Sequence, residues 1–260
     1  MRRNFLPILG LLSLFVLGSC SADRDPKIAS LKHAVEVADS QLLDAAAELD
    51  TTNCFPRSLM PKFRAVDAKD WTSGFFPGSL WQCYRFTGDE KLLAEARKYT
   101  DRLEGIQYYK GTHDLGFMVF CSFGQQMETL HDQHSEEVIV EAAKSLISRC
   151  DPRIGLIRSW DFGEWNYPVI IDNMMNLEML FWASKHTGDP VYRDVAVRHA
   201  DITMKNHFRH DASSFHVVRY NDDGTLESRG TFQRYSDSSA WARRQAGGPY
   251  GPNMLYRQTG

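Results

Sequence analysis

A short phrase occurs twice in the chain and restricts the fold more than any other feature. Leu80-Trp81 leads into Phe86-Thr87-Gly88-Asp89, and Leu180-Phe181 leads into His186-Thr187-Gly188-Asp189. Glycine after an apolar helical stretch supplies the left-handed residue that closes a helix, and the aspartate behind it caps the next one. Pro190 follows the second copy at a first helical position, where its missing N–H does no harm. The phrase is therefore a turn between antiparallel helices. A third copy opens at Leu255 and reaches Thr259-Gly260, where the sequence ends. Helical hairpins stacked side by side make arrays or closed barrels. The expected class is thus all-α, with further hairpins expected after the third turn.

Apolar residues at helical spacing place the elements. Ile28, Leu31, Val35, Ala38, Leu42, Ala45, Ala46 and Leu49 mark a first amphipathic helix. Seven more are expected at Gly78–Phe86, Glu90–Gln107, Leu115–Leu130, Ser135–Cys150, Asn173–His186, Val191–Phe208 and Ser238–Arg257. Strand signals are few, at Leu156–Ser159 and Phe215–Tyr220, and suggest a small ribbon.

The beginning of the chain reads as a targeting segment. Arg2 and Arg3 precede an apolar run from Phe5 to Gly18, too short for a spanning helix, which needs about 20 apolar residues. Leu17-Gly18-Ser19-Cys20 resembles a bacterial lipobox, so residues 1–19 are expected to be a lipoprotein signal peptide and Cys20 a lipidated first residue. Residues 20–26 form a polar tether, and 27–260 the domain. The membrane is then met through the anchor alone, at the bacterial cell envelope. With 30 Lys+Arg against 33 Asp+Glu the chain lacks the basic balance that nucleic-acid binding requires. Cys54, Cys83, Cys121 and Cys150 form no Cys-x-x-Cys pair, so free buried thiols are expected rather than a zinc or redox motif.

Four loops precede helices whose starts share one rim of the stack, because alternate helices of a hairpin array run parallel. They are Trp71 to Gly78, His113 to Met118, Ile170 to Asn176, and Tyr235 to Trp241. The rim collects two carboxylates with apolar neighbours, Asp114 and Asp172, together with tryptophans and small polar groups. A sugar-binding mouth fits that composition. Helix capping fits Asp114, Asp172 and Asp237 equally well, and the two uses are compatible.

Those same segments resemble glycoside hydrolase family 88, the unsaturated glucuronyl hydrolases. The resemblance runs from about Leu31 to Gly260 and rests on Trp71-Thr72-Ser73-Gly74-Phe75, His113-Asp114-Leu115-Gly116-Phe117, Arg158-Ser159-Trp160, Ile171-Asp172-Asn173-Met174-Met175-Asn176, Ser214 to Val218, and Trp241-Ala242-Arg243. It implies an (α/α)6 barrel of six inner and six outer helices, of which about eight are present here. It implies a substrate left by a polysaccharide lyase, an oligosaccharide ending in a uronate with a C4=C5 double bond. C4 is protonated and water adds at C5, so carboxylate spacing does not report stereochemistry as it does in ordinary glycosidases.

The resemblance also assigns roles. Asp172 becomes proton donor and water activator, and Asp114 the second essential carboxylate. An acid that must hold its proton needs desolvation, which Ile170, Ile171, Met174 and Met175 offer, and a charged Asp114 nearby would reinforce it. Trp71, Phe75 and Trp160 match stacking aromatics, with core packing as the other use of such rings. His113, His216, Gln233 and Arg243 match polar pocket positions, Arg243 offering a planar fork to the uronate carboxylate. No cofactor is implied. The pairs His131/His134 and His207/His210 have metal-ligand spacing but no evident carboxylate or cysteine partner, so no metal is expected. Histidines outside the pocket read as surface residues.

Departures from the family cluster late in the chain. Gly247 stands where a pocket tryptophan is usual and Arg234 where a glycine is usual. Pro249 and Pro252 fall inside an expected helix, where each costs about 3 kcal/mol and disfavours it. Two other functions share much of this pattern: an unsaturated rhamnogalacturonyl hydrolase, and a non-catalytic helical sugar-binding protein.

Overall fold

The computed structural model describes residues 26–58, 63–233, 235–240 and 242–260. The expected signal peptide, Cys20, Arg234 and Trp241 lie outside the described residues, as does the tether up to Asp25. Eight α-helices occur among the described residues: α1 (Pro26–Glu48), α2 (Phe75–Thr87), α3 (Glu90–Asp101), α4 (Phe123–Leu130), α5 (Gln133–Ile147), α6 (Asn173–Thr187), α7 (Pro190–His207) and α8 (Ala242–Thr259). A π-helical segment, Gly116–Phe120, leads into α4.

The turn phrase works as its residues dictate. Gly88 and Gly188 adopt φ of 70° and 75° and donate back to Tyr84 O and Ser184 O. Asp89 Oδ1 accepts from Lys91 N at 2.8 Å and Asp189 Oδ1 from Val191 N at 2.9 Å, capping α3 and α7. Gly260, in the third copy, is also left-handed at φ 84°. Hairpins α2–α3, α4–α5 and α6–α7 follow. The even-numbered helices touch one another in order, α2 on α4, the π segment on α6, and α6 on α8. They form the inner layer. α6 is buried on nearly all sides, which is why its apolar residues run around the helix rather than along one stripe. α3 keeps only Leu92, Ala96, Tyr99 and Thr100 buried, as an outer helix should.

Several expectations are corrected. α3 ends at Asp101 rather than Gln107, because Gly105 turns the chain at φ 95° into a short 3-10 turn, Ile106–Tyr108. Strand content exceeds the expected ribbon. β1 (Phe55–Ser58) pairs with β2 (Arg64–Val66), and β3 (Cys150–Asp151) with β4 (Leu156–Ile157). β5 (Tyr167–Ile170), β6 (Val217–Tyr220) and β7 (Leu226–Gly230) make a three-stranded antiparallel sheet. β5 is buried at all four positions, so it shows no alternation to read. α8 is not broken: it runs through Pro249 and Pro252. Gly247 and Gly251 lie against Met175 and Met174 of α6, and Gly248 against Phe208, so close packing holds a helix that intrinsic propensity disfavours. α8 starts at Ala242, five residues after Asp237, so Asp237 is not its cap.

The histidines outside the pocket are not all superficial. His199 and His207 on α7 are fully buried; His199 Nδ1 accepts from Ile157 N at 3.0 Å and His207 Nε2 donates to Val169 O at 3.1 Å. They tie α7 to β4 and β5. Burial lowers both ring pKa values, His207 to about 4 and His199 well below the ordinary value. Among the described residues Cys54, Cys83, Cys121 and Cys150 are free and half-buried, and burial lifts Cys83 and Cys121 to about 12. No described helix is long and apolar enough to cross a membrane.

Candidate active site

Three glycine contacts bring the rim loops together. A Cβ on Gly74 would lie 2.2 Å from Phe117 O and 2.3 Å from Met118 O, so only glycine lets the loop before α2 rest on the π segment. A Cβ on Gly116 would lie 2.6 Å from Asn176 Oδ1 and 2.7 Å from Asn176 Cα. Asn176 Oδ1 in turn accepts from Phe117 N at 2.9 Å. A Cβ on Gly78 would lie 2.4 Å from Cys121 O, so the close seam continues along α2. The segments His113 to Phe117 and Asp172 to Asn176 are thus one contact surface.

That contact sets the two aspartates side by side. Ligand-type atoms of His113, Asp114 and Asp172 all lie within 4.8 Å of one another. His113 is 1% and Asp172 2% exposed, and Asp114 faces solvent more, at the mouth. His113 Nε2 stands 3.3 Å from Asp114 Oδ1, and the Thr112 hydroxyl donates to Asp114 Oδ2 at 2.7 Å. Asp172 occupies the N-cap position of α6 yet makes no side-chain cap bond; its backbone is helical, φ −69° and ψ −13°. The capping use that its position suggests is therefore not taken up. Ile170, Ile171 and Met174 around it are buried. The spacing of the three groups would also admit a divalent cation, with a histidine nitrogen and two carboxylates as donors.

Aromatic rings flank the pair on two sides. Trp71, Phe75 and Phe117 form one cluster, with ring centroids 5.4–5.9 Å apart and Phe75 39% exposed. Trp160 bridges by backbone to Thr112, next to His113, and is 7% exposed. Phe162 stacks on it at 5.2 Å with 15° between planes, and Trp165 and Phe232 close the second cluster. Trp160 is thus mostly core, and Phe162 and Phe232 carry the open ring surface. His216 is buried behind the site: its carbonyl accepts from Ile171 N at 3.1 Å and its Nδ1 from Phe232 N at 3.2 Å. Gln233, after β7, and Arg243, in the first turn of α8, are exposed. Gly247 is buried, its missing side chain facing the Met175 methyl at 3.0 Å, so methionine rather than an aromatic ring fills that corner.

Sequence reasoning missed Thr112, Phe117, Ser159, Phe162, Asn176 and Phe232. Thr112 precedes Asp114 by two positions, the spacing of a hydroxyl-carboxylate clasp, and Phe117, Ser159 and Asn176 sit inside the segments that carried the resemblance. Phe162 and Phe232 left no such signal. Of the two histidine pairs, His207 is spent on Val169 O, and His134 pairs with Glu104 at 2.9 Å, which raises its pKa.

No family model matches the chain. It is 47% identical over 214 residues to an unsaturated glucuronyl hydrolase of Formosa agariphila, covering 80% of this chain and 54% of that one. A solved unsaturated glucuronyl hydrolase specific for heparin superposes with a TM-score of 0.81 at 44% identity, covering 86% of this chain and 62% of that one. A mutant of the Streptococcus agalactiae enzyme, complexed with dGlcA-GalNAc6S, gives 0.66 at 30% identity, covering 87% and 56%. The chain spans about half the length of the curated relatives it matches. Its helical layers are those of an (α/α)6 barrel, with a carboxylate pair at the rim. The chain belongs to glycoside hydrolase family 88, the unsaturated glucuronyl hydrolases.

Proposed function

We propose that the protein hydrolyses oligosaccharides whose non-reducing end is an unsaturated glucuronyl residue, the product of a polysaccharide lyase. The observation that carries this reading is the approach of buried Asp172 to Asp114 and His113 within 4.8 Å. The enol ether needs one group that delivers a proton to C4 and then takes one from the water adding at C5. Asp172, desolvated and not used as a helix cap, suits that alternation, because a buried carboxyl resists ionisation unless a partner compensates it. Asp114, clasped by Thr112 and beside His113, suits a charged group that orients sugar hydroxyls. The hydrated sugar is a hemiketal, which opens and releases the remaining saccharide. Trp71, Phe75 and Phe162 offer faces for the sugar rings, and Arg243 at the rim a fork for the uronate carboxylate.

Unsaturated chondroitin, hyaluronan and heparin disaccharides all absorb in the ultraviolet through the conjugated double bond. Loss of that absorbance on incubation with the protein, and its persistence with a correctly folded Asp172→Asn variant, are the expected results. Turnover by that variant would refute the assignment. Consumption of unsaturated rhamnogalacturonan fragments alone would move the protein to the pectin-directed activity, and binding without absorbance loss would make it a sugar-binding protein. The leader and Cys20 support export and lipid anchoring at the bacterial envelope. Palmitate labelling of the wild type, absent in Cys20→Ser, is the expected outcome.

A further inference from the structure

Ser159 lies between the two loops that carry the aspartates. It is buried, 1% exposed, in the segment that joins β4 to the aromatic cluster. Its backbone is shared between the loops: His113 N donates to Ser159 O at 3.2 Å, and Ser159 N to Pro168 O at 2.9 Å. Its side chain repeats the arrangement. Ile170 N donates to Ser159 Oγ at 2.9 Å, and the same oxygen stands 3.3 Å from His113 Nδ1. Ile170 is two residues before Asp172, and His113 one before Asp114. A single hydroxyl therefore links the strand that ends in one carboxylate to the loop that carries the other.

The direction of the hydrogens follows from the partners. Ile170 N–H occupies one lone pair of the hydroxyl, whose own hydrogen is left to point elsewhere. At its other end His113 presents Nε2 to Asp114 Oδ1 at 3.3 Å, and a carboxylate oxygen accepts but does not donate. A neutral ring that donates to Asp114 carries its proton on Nε2, which leaves Nδ1 as the acceptor for the serine hydroxyl. The partner of one ring nitrogen decides what the other can do.

We propose that Ser159 is a positioning residue for the hydration reaction: its hydroxyl locks His113 as the Nε2–H tautomer against Asp114 and holds the Asp114 loop in register with the strand leading to Asp172. The proposal rests on the activity assigned above, and its first test does not need that activity. Nitrogen-15 imidazole shifts of the wild-type protein at neutral pH should show His113 protonated on Nε2 alone. A ring protonated on Nδ1, or on both nitrogens, overturns the proposal. In Ser159→Ala the His113 signals should become a mixture of tautomers, while the far-ultraviolet circular dichroism stays that of the wild type. On an unsaturated disaccharide that variant should lose roughly ten- to a hundredfold in kcat with KM changed less than about threefold, since the substrate contacts persist. Ser159→Thr, which keeps the hydroxyl, should recover most of the loss. Unchanged shifts and unchanged kcat in a folded Ser159→Ala protein overturn the proposal. A wild type inert toward every unsaturated uronide would instead remove the activity, with the tautomer measurement still deciding the role of Ser159.

Discussion

Asp172 and Asp189 begin the two helices of one hairpin, and they use the same position in opposite ways. Asp189 has an extended backbone, φ −82° and ψ 116°, and its carboxylate accepts from Val191 N. Asp172 has a helical backbone, which turns the carboxylate away from the N–H groups it would cap, and it is buried beside Asp114 and His113 instead. The difference is made outside the helices. At the turn end Thr187, Gly188 and Pro190 shape the chain locally; at the rim Ile171 N is held by His216 O and Met175 N returns to Asp172 O. A carboxylate at a helix start is a cap when local residues set its backbone. It is left out of the cap when residues from a distant segment do, as His216 O does by holding Ile171 N.

The most severe way to test that contrast is Asp172→Asn. Turnover should fall by roughly a thousandfold or more, with the melting temperature nearly unchanged because no cap is lost. Forcing the rim apart comes next. Gly74→Ala drives a methyl into Phe117 O and Met118 O and should cost about 3 kcal/mol in a denaturant titration, with activity falling as the aspartates separate. A third test is pH. The unfolded chain takes up a proton on His207 as pH falls through about 6.5, whereas the folded ring stays neutral until about 4. Stability present above the upper value should therefore drain away across that window, by on the order of 3 kcal/mol from His207 alone, with His199 acting in the same direction. Melting curves between those limits check the sign, and a flat profile contradicts it. Asp189→Ala should do the reverse of Asp172→Asn, losing about 1 kcal/mol of stability with kcat unchanged. The smallest effect is reserved for Phe162→Ala, whose exposed ring covers Trp160; KM for a disaccharide should rise about two- to fivefold with kcat held.

Much of this arrangement is readable one segment at a time. The Thr-Gly-Asp turns need only residues that touch neighbours within five positions, and both copies make the same threonine and aspartate bonds, the Ser184 hydroxyl adding one to Asp189 O in the second. Helix existence followed from apolar spacing for the same reason. The sheet was mostly illegible, because β5 is four residues long, contains Pro168 and is buried on both faces. The buried histidines were misread since nothing in their own helix marks them: their partners are Ile157 N and Val169 O, 42 and 38 positions away. The helical pattern of α8 is readable, but what lets it run through two prolines is not, because that depends on the α6 surface that receives its glycines.

By itself the sequence determined the hairpin repeat, the two aspartate-bearing segments and the family, because short-range geometry and residue chemistry suffice for those. The tertiary structure alone decided which aspartate caps a helix and which does not, and that Gly74 and Gly116 bring the rim loops into contact. It also decided that Ser159 ties the loops together, and that Phe162 rather than Trp160 faces outward. These depend on atoms brought together from distant parts of the chain, and no local rule of spacing can report them.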